Sequence, residues 1–311
     1  MTAPAGLVAL TGATGFVGAH VLDRLLAAGC RVNALTRRPQ PARPGVAWIA
    51  GDLDDPAALA RLTDGADAVV HVAGLIKARR TREFFAVNEG GTRRVLDAIG
   101  ERNIRYIHLS SISAREPQLS AYAASKAAAE TAVLERSGLD FTILRPPVVY
   151  GPGDRETLVF FRAARSRRAL LPGSPRHRTS LIHVHDLAAA VVAAMAAPAL
   201  SGRTADVHDG APDGYAFPEV LSMIAGRAAW HRPLFVPPAA LGSVGALTWM
   251  ASLFTGGAPM LTPGKARELS FPDWVCHDRS LFEEAGWTPA LPASIGLPAT
   301  RAWYEENGYL R

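Results

Sequence analysis

Along the first half of the chain, short apolar runs alternate with stretches whose apolar positions recur every three or four residues. Leu7–Leu10, Val32–Leu35, Ala47–Ala50, Ala68–Val72, Tyr106–Ser110 and Phe141–Leu144 read as strands. His20–Ala28, Pro56–Thr63, Phe84–Arg102 and Tyr122–Arg136 read as helices. Asp54-Asp55-Pro56 opens the second of these, with carboxylates to cap the first N–H groups and a proline where an N–H is not missed. Strict alternation of strand and helix predicts an α/β fold with a doubly wound parallel sheet. After Tyr150 the regularity fails: Gly151-Pro152-Gly153 breaks the chain, and Pro-rich connections follow. Leu187–Ala197 predicts a helix packing back on the sheet. Two lobes are expected, residues 1–150 and a smaller one over 151–311, with segments of about 181–210 returning to the first.

The composition excludes disorder: 49% of the 311 residues are hydrophobic and 20% charged. Lys+Arg exceed Asp+Glu by 33 to 28, a net charge of +5. All the basic residues except Lys77, Lys126 and Lys265 are arginines. They are scattered and not interleaved with aromatics, so nucleic acid is not the expected partner. The one local cluster, Arg162, Arg165, Arg167 and Arg168, reads as a solvated helix face. Cys30 and Cys276 form no paired framework, which predicts a reducing, cytoplasmic setting. The apolar N-terminus lacks a basic leader and runs into a glycine motif, so it reads as a strand, not a signal peptide. Residues 233–264 carry no charge. Pro237, Pro238, Gly242 and Gly245 argue against a membrane-spanning helix over Ala239–Phe254. A helix lining a cleft is expected there, with peripheral docking of 239–254 on a membrane as the alternative.

Thr11-Gly12-Ala13-Thr14-Gly15-Phe16-Val17-Gly18 sits between a predicted strand and a predicted helix. Gly12 suits the tight turn, Gly15 a close backbone approach to a pyrophosphate, and Gly18 close packing of helix on strand. The helix start at Phe16 and Val17 offers N–H donors and a positive dipole end to phosphates. Residues 1–150 therefore read as a dinucleotide-binding domain. At the end of the second strand stands Leu35-Thr36-Arg37-Arg38, with no acid to accept a ribose hydroxyl. A hydroxyl and two guanidiniums suit a 2′-phosphate, so NADP is the expected cofactor, with NAD as the alternative. Arg37 is the first candidate for that contact. Asp52, followed by Leu53, could accept from the adenine amine or simply cap the next helix. Val72-Ala73-Gly74 presents small residues beside the cofactor, and His71 before them reads as structural.

Tyr122 and Lys126 lie one helical turn apart on one face. A nearby ammonium stabilises tyrosinate and lowers the phenol toward neutrality, as acid–base catalysis requires. Ser110 and Ser111 end a strand that should lie beside this helix, where a hydroxyl could bind a substrate carbonyl.

Together these motifs resemble the short-chain dehydrogenase/reductase superfamily, specifically its extended members of the NAD-dependent epimerase/dehydratase type. Also in the family's order stand Asn88, the run Arg145-Pro146-Pro147-Val148-Val149-Tyr150 and His183-Val184-His185-Asp186. The resemblance implies a Rossmann-type sheet. It makes Tyr122 the proton donor or acceptor and Lys126 the residue that holds the nicotinamide ribose. Ser111 would polarise the carbonyl, with Ser113 as substitute. Asn88 would join a proton relay through Lys126 and water, and Pro146, Val148 and Val149 would border the nicotinamide. Thr179 stands where sugar-nucleotide epimerases carry a diphosphate-gripping Arg, though Arg178 is adjacent. The pattern Thr179–Val184 is closer to the 3β-hydroxysteroid dehydrogenase and dihydroflavonol reductase branch. The expected function is thus an NADP-preferring oxidoreductase that interconverts a secondary alcohol and a ketone on an apolar or polycyclic small molecule. The alternatives are a sugar-nucleotide epimerase or dehydratase with bound NAD, and a noncatalytic NADPH-binding subunit. The resemblance also implies a homodimer formed through Phe84–Arg102 and Tyr122–Arg136, and no metal.

Overall fold

The computed structural model describes residues 6–227, 232–255 and 261–310. The first lobe runs β1 (Leu7–Thr11), α1 (Phe16–Ala27), β2 (Arg31–Thr36), β3 (Val46–Ala50), α2 (Pro56–Thr63), β4 (Ala68–His71), α3 (Thr81–Ile99), β5 (Arg105–Leu109), α4 (Ala121–Leu134) and β6 (Asp140–Arg145). There follow β7 (Val148–Tyr150), α5 (Leu158–Ala163), β8 (Leu170–Pro172), β9 (Arg178–Thr179), β10 (Leu181–His183), α6 (Val184–Met195) and β11 (Arg203–Asp206). The remainder comprises β12 (Tyr215–Ala216), α7 (Phe217–Ala225), β13 (Leu234–Val236), α8 (Pro238–Thr255), α9 (Pro263–Ser270), β14 (Asp273–Trp274), α10 (Ser280–Glu283) and α11 (Ala293–Glu306).

Seven parallel strands form the central sheet in the order β11-β6-β5-β4-β1-β2-β3. This is the doubly wound α/β fold expected from the alternation. Its side chains divide between two cores with the strand period of two. Val8, Leu10, Val70 and Ile107 face a core closed by α1 and α6. Ala9, Val69 and Tyr106 face the other, closed by α2, α3 and α4. The order in which strands are added reverses between β1 and β4, the switch point where open α/β sheets bind ligands beyond the strands' carboxyl ends.

The sheet gains its last strand from the second half of the chain. Arg203–Asp206 pairs with β6, although its polar sequence carries no strand signal. α6 starts at Val184, earlier than its apolar run suggests, because the His183 ring accepts the His185 N–H at 3.3 Å. The arginine cluster is also placed differently from its reading. Only Arg162 lies on a helix, and Arg165, Arg167 and Arg168 lie on the turn that leads to β8. The second lobe has its own core of Tyr150, Phe161, Leu221, Leu297 and Tyr304. α8 lies within the uncharged stretch, and the side chains of 247 and of 249–255 fall outside the described residues. Among the described residues no helix is long and apolar enough to cross a membrane.

One buried carboxylate joins the lobes. Asp186, at the start of α6, accepts the N–H groups of Ala290 at 3.0 Å and Leu291 at 2.8 Å. Removing it leaves two N–H groups without their acceptor. Asp186→Ala is expected to cost about 2–4 kcal/mol in chemical denaturation, well beyond a surface change.

Candidate active site

The glycine motif forms a cradle at the switch point. Gly12 has φ +75°, and a Cβ there would lie 2.8 Å from the Ala73 nitrogen. A Cβ on Gly18 would lie 1.9 Å from the Gly12 oxygen, so α1 can approach β1 only with glycine at that position. Gly15 is the N-cap of α1 and offers no side-chain cap. The first-turn N–H groups at Phe16 and Val17 are thereby left for a ligand's phosphates, with Thr14 and Gly15 exposed beside them. The residues present fit a dinucleotide.

Arg37 and Arg38 are exposed at the end of β2. The Thr36 hydroxyl donates to the Arg38 carbonyl at 2.7 Å and shapes the turn. Asp52 is not the helix cap, because Asp55 accepts the Ala58 N–H at 3.0 Å. One oxygen of Asp52 accepts from Asp54, and the side chain remains exposed. Leu53 packs into the core beside α3, and its carbonyl accepts from Arg94 at 2.6 Å.

A buried hydrogen-bond chain fixes the end of β4 against β1 and α3. The Ala73 N–H donates to Thr11 Oγ1 at 3.1 Å, and Thr11 Oγ1 lies 2.8 Å from His71 Nδ1. His71 Nε2 lies 3.2 Å from Thr92 Oγ1, which donates to the Asn88 carbonyl at 2.6 Å. Each hydroxyl has one proton. Thr92 spends its own on Asn88, so His71 must carry its proton on Nε2 and accept at Nδ1. Burial accordingly lowers the His71 pKa to about 3, and the Lys126 charge lowers it further in the same direction. The histidine is structural, and the small residues Val72, Ala73 and Gly74 follow it.

Tyr122 and Lys126 stand on α4, and Ser111, just past β5, lies near the phenol and lowers its pKa; its Oγ also accepts the Ser113 N–H at 3.2 Å. The Phe84 ring packs edge-on to the phenol, with centroids 6.1 Å apart. Lys126 donates to the Leu109 carbonyl at 2.8 Å, and its Nζ lies beside Gly74. The expected lowering of the phenol pKa by Lys126 is not what the surroundings produce. Burial pushes Tyr122 up to about 12, the Ser111 hydrogen bond draws it down, and the Glu268 carboxylate adds to the rise. Burial brings Lys126 down to about 8 against the pull of Glu130. At neutral pH the phenol therefore holds its proton.

Asn88 is held between the β4–α3 loop and α4. Its amide clasps both the N–H and the carbonyl of Leu75, at 2.7 and 3.1 Å, and donates to Ser125 Oγ at 2.8 Å. Ser125 in turn donates to the Tyr122 carbonyl at 2.7 Å, so Asn88 braces the catalytic helix. The Pro146 carbonyl accepts the Ile112 N–H at 3.0 Å and fixes the turn that begins at Ser111. Val148 packs toward the second-lobe core and Val149 toward the sheet.

Sequence reasoning missed two supports. Buried Glu130 accepts from Ser110 and from both the Nε and a terminal nitrogen of Arg145, tying α4 to β5 and β6. Its spacing of four from Lys126 was the available signal. Buried Glu268, on α9, accepts from Ser120, the N-cap of α4, and from Lys265 at 3.0 Å. That contact spans 148 residues and leaves no local trace.

His71 gives the site a pH signature. Its folded pKa lies below the unfolded value, so the unfolded chain binds the extra proton between about pH 6.5 and 3. Stability should hold above about pH 6.5 and fall as pH drops through that window. In acid titrations followed by circular dichroism, His71→Asn should be less stable at neutral pH and show a shallower acid slope.

A protein family defined as the NAD dependent epimerase/dehydratase family matches residues 8–207. The ceramide reductase of Caulobacter vibrioides is 39% identical over 98% of this chain and 96% of its own length. A 3 beta-hydroxysteroid dehydrogenase/Delta 5→4-isomerase of Mycobacterium tuberculosis is 30% identical over 60% of this chain and 59% of its own. The UDP-glucose 4-epimerase structure from Thermotoga maritima superposes with a TM-score of 0.71 at 18% identity, covering 97% of this chain and 99% of that one. It shares the fold. The match over residues 8–207, together with the assembled Ser111–Tyr122–Lys126 site, places the chain in the NAD dependent epimerase/dehydratase family, as an NAD(P)-dependent oxidoreductase-type enzyme of the extended short-chain dehydrogenase/reductase group.

Proposed function

We propose that the chain is an NADP-preferring reductase that converts a ketone on a large, lipid-like substrate into a secondary alcohol. One observation carries the reading: Tyr122, one turn from Lys126 on α4, with the Ser111 hydroxyl nearby and the Lys126 ammonium beside the cofactor cradle at Gly74. The bound nicotinamide supplies the hydride. Ser111 holds the carbonyl oxygen, Tyr122 Oη delivers its proton there, and Lys126 orients the ribose side of the cleft. Charge developing on the oxygen is met by hydroxyl donors already in place.

Two further features support the finer assignment. The β2 turn offers Arg37 and Arg38 and no carboxylate, which suits a 2′-phosphate. The long uncharged stretch over 233–264 suits an apolar substrate, as do the relatives named for ceramide and a steroid. A sugar-nucleotide reading is disfavoured. Arg178 is tied to the carbonyls of Asp213 and Gly214 at 2.7 and 3.1 Å, and Thr179 is buried. Neither is positioned to grip a diphosphate. The paired helices α3 and α4 remain the proposed contact for a homodimer.

Cofactor titration tests the first claim. NADPH should bind more tightly than NADH, and Arg37→Ala should remove about tenfold or more of that preference, the loss of one charge-assisted contact. Co-purified NAD with no preference would move the assignment to an epimerase or dehydratase. Tyr122→Phe should lower turnover of a ketone-bearing ceramide-like lipid by about 100-fold or more while NADPH affinity holds. Near-normal turnover would remove Tyr122 from the chemistry.

A further inference from the structure

The acids of this chain are unevenly distributed. Residues 157–185 carry six arginines and no Asp or Glu, and residues 220–267 carry three arginines, one lysine and again no acid. The rest of the chain holds 23 basic residues against 28 acidic ones. A protein of net +5 is therefore two segments at +10 on a body at −5.

The fold lays those two segments side by side. β8 and β13 pair in parallel with Leu170 opposite Leu234. The ladder continues outward through the Leu234 N–H to Ala169 at 2.9 Å and the Arg232 N–H to Arg167 at 2.7 Å. Leu171 is buried, whereas Leu170 is 68% and Leu234 56% exposed. The ribbon thus turns its two paired leucines to solvent. Arg167 and Arg168 are exposed immediately before Leu170. β13 runs directly into the uncharged α8, whose Val244 is also exposed. On the inner side β8 packs against α9, the helix that carries Glu268 to Ser120.

Adjacent exposed leucines lose free energy in water and regain it in the interfacial zone of a bilayer. Arginines beside them are drawn to anionic headgroups. A nucleic acid would use the arginines but leave the leucine pair in water, and the aromatic of the ribbon, Phe235, packs on the second-lobe core and not outward for base stacking. We propose that the β8–β13 edge docks on an anionic lipid bilayer, with Leu170 and Leu234 entering the interface and Arg167 and Arg168 on the headgroups. The docking has a purpose only if the lipid-ketone reading holds, because it sets the mouth of the site one helix away from the lipid source. Its geometry stands apart from that reading. It also moves the expected membrane contact from residues 239–254 to the ribbon that precedes them.

Co-sedimentation of the full chain with vesicles tests the proposal. Wild type should bind vesicles of mixed phosphatidylglycerol and phosphatidylcholine, ignore pure phosphatidylcholine, and release as salt screens the charges. Leu170→Ser with Leu234→Ser, and separately Arg167→Glu with Arg168→Glu, should each weaken binding by about tenfold or more. Both variants should keep the melting temperature, the NADPH affinity and the turnover of a short, water-soluble ketone. Absence of wild-type binding, undiminished binding by both variants, or binding to oligonucleotides in preference to vesicles would overturn it. Anionic-vesicle binding lost in the variants, by a wild type that reduces no lipid ketone, would uphold the docking and remove the lipid-ketone reading instead.

Discussion

The site rests on a charged network where charge is expensive. Glu130, buried on α4, is stabilised by Ser110 from the end of β5 and by two nitrogens of Arg145 from the end of β6. An isolated carboxylate at that depth would cost several kcal/mol, so these partners are a condition of the helix lying where it does. One turn earlier, Lys126 reaches the Leu109 carbonyl on the same strand. The helix is thus fixed in rotation as well as position, and Tyr122 is carried with it. Ser111 follows Ser110 directly, so the group that anchors the helix and the group that meets the phenol are neighbours on one strand end.

The cofactor cleft is built in a different manner, mostly from absent side chains. Gly12 and Gly18 permit contacts that any Cβ would prevent. Around this empty cradle the protein places a rigid neutral chain, Ala73–Thr11–His71–Thr92–Asn88, whose directions are fixed by proton count. Neutral donors and acceptors there hold the backbone without adding charge beside the phosphates. Arg37 and Arg38 at the end of β2 stand exposed at the rim.

Much of this was legible in the sequence, and the reasons are physical. The glycine spacing, the Tyr122–Lys126 pair and the serine doublet each depend on a few residues close together in the chain, so their geometry follows from local structure. Where the reading failed, the cause lay in distant partners. Tyr122 was expected to be acidified by Lys126, but its burial and the Glu268 carboxylate act the other way. The bracing role of Asn88, whose amide holds Leu75 and Ser125, likewise depends on the loop that follows β4. β11 pairs at a sheet edge by its backbone, which needs no apolar run.

Glu268 also ties together two helices that stand far apart in the chain. The carboxylate rides on α9, whose Gly264 packs tightly on Ser120 and whose Arg267 donates to the Leu119 carbonyl at 2.8 Å. Ser120 is the cap that starts the helix bearing Tyr122, so α9 and the first turn of α4 are one mechanical unit. Loosening α9 would therefore uncap the turn that carries the phenol, and a fault in the second half of the chain would be felt at Tyr122.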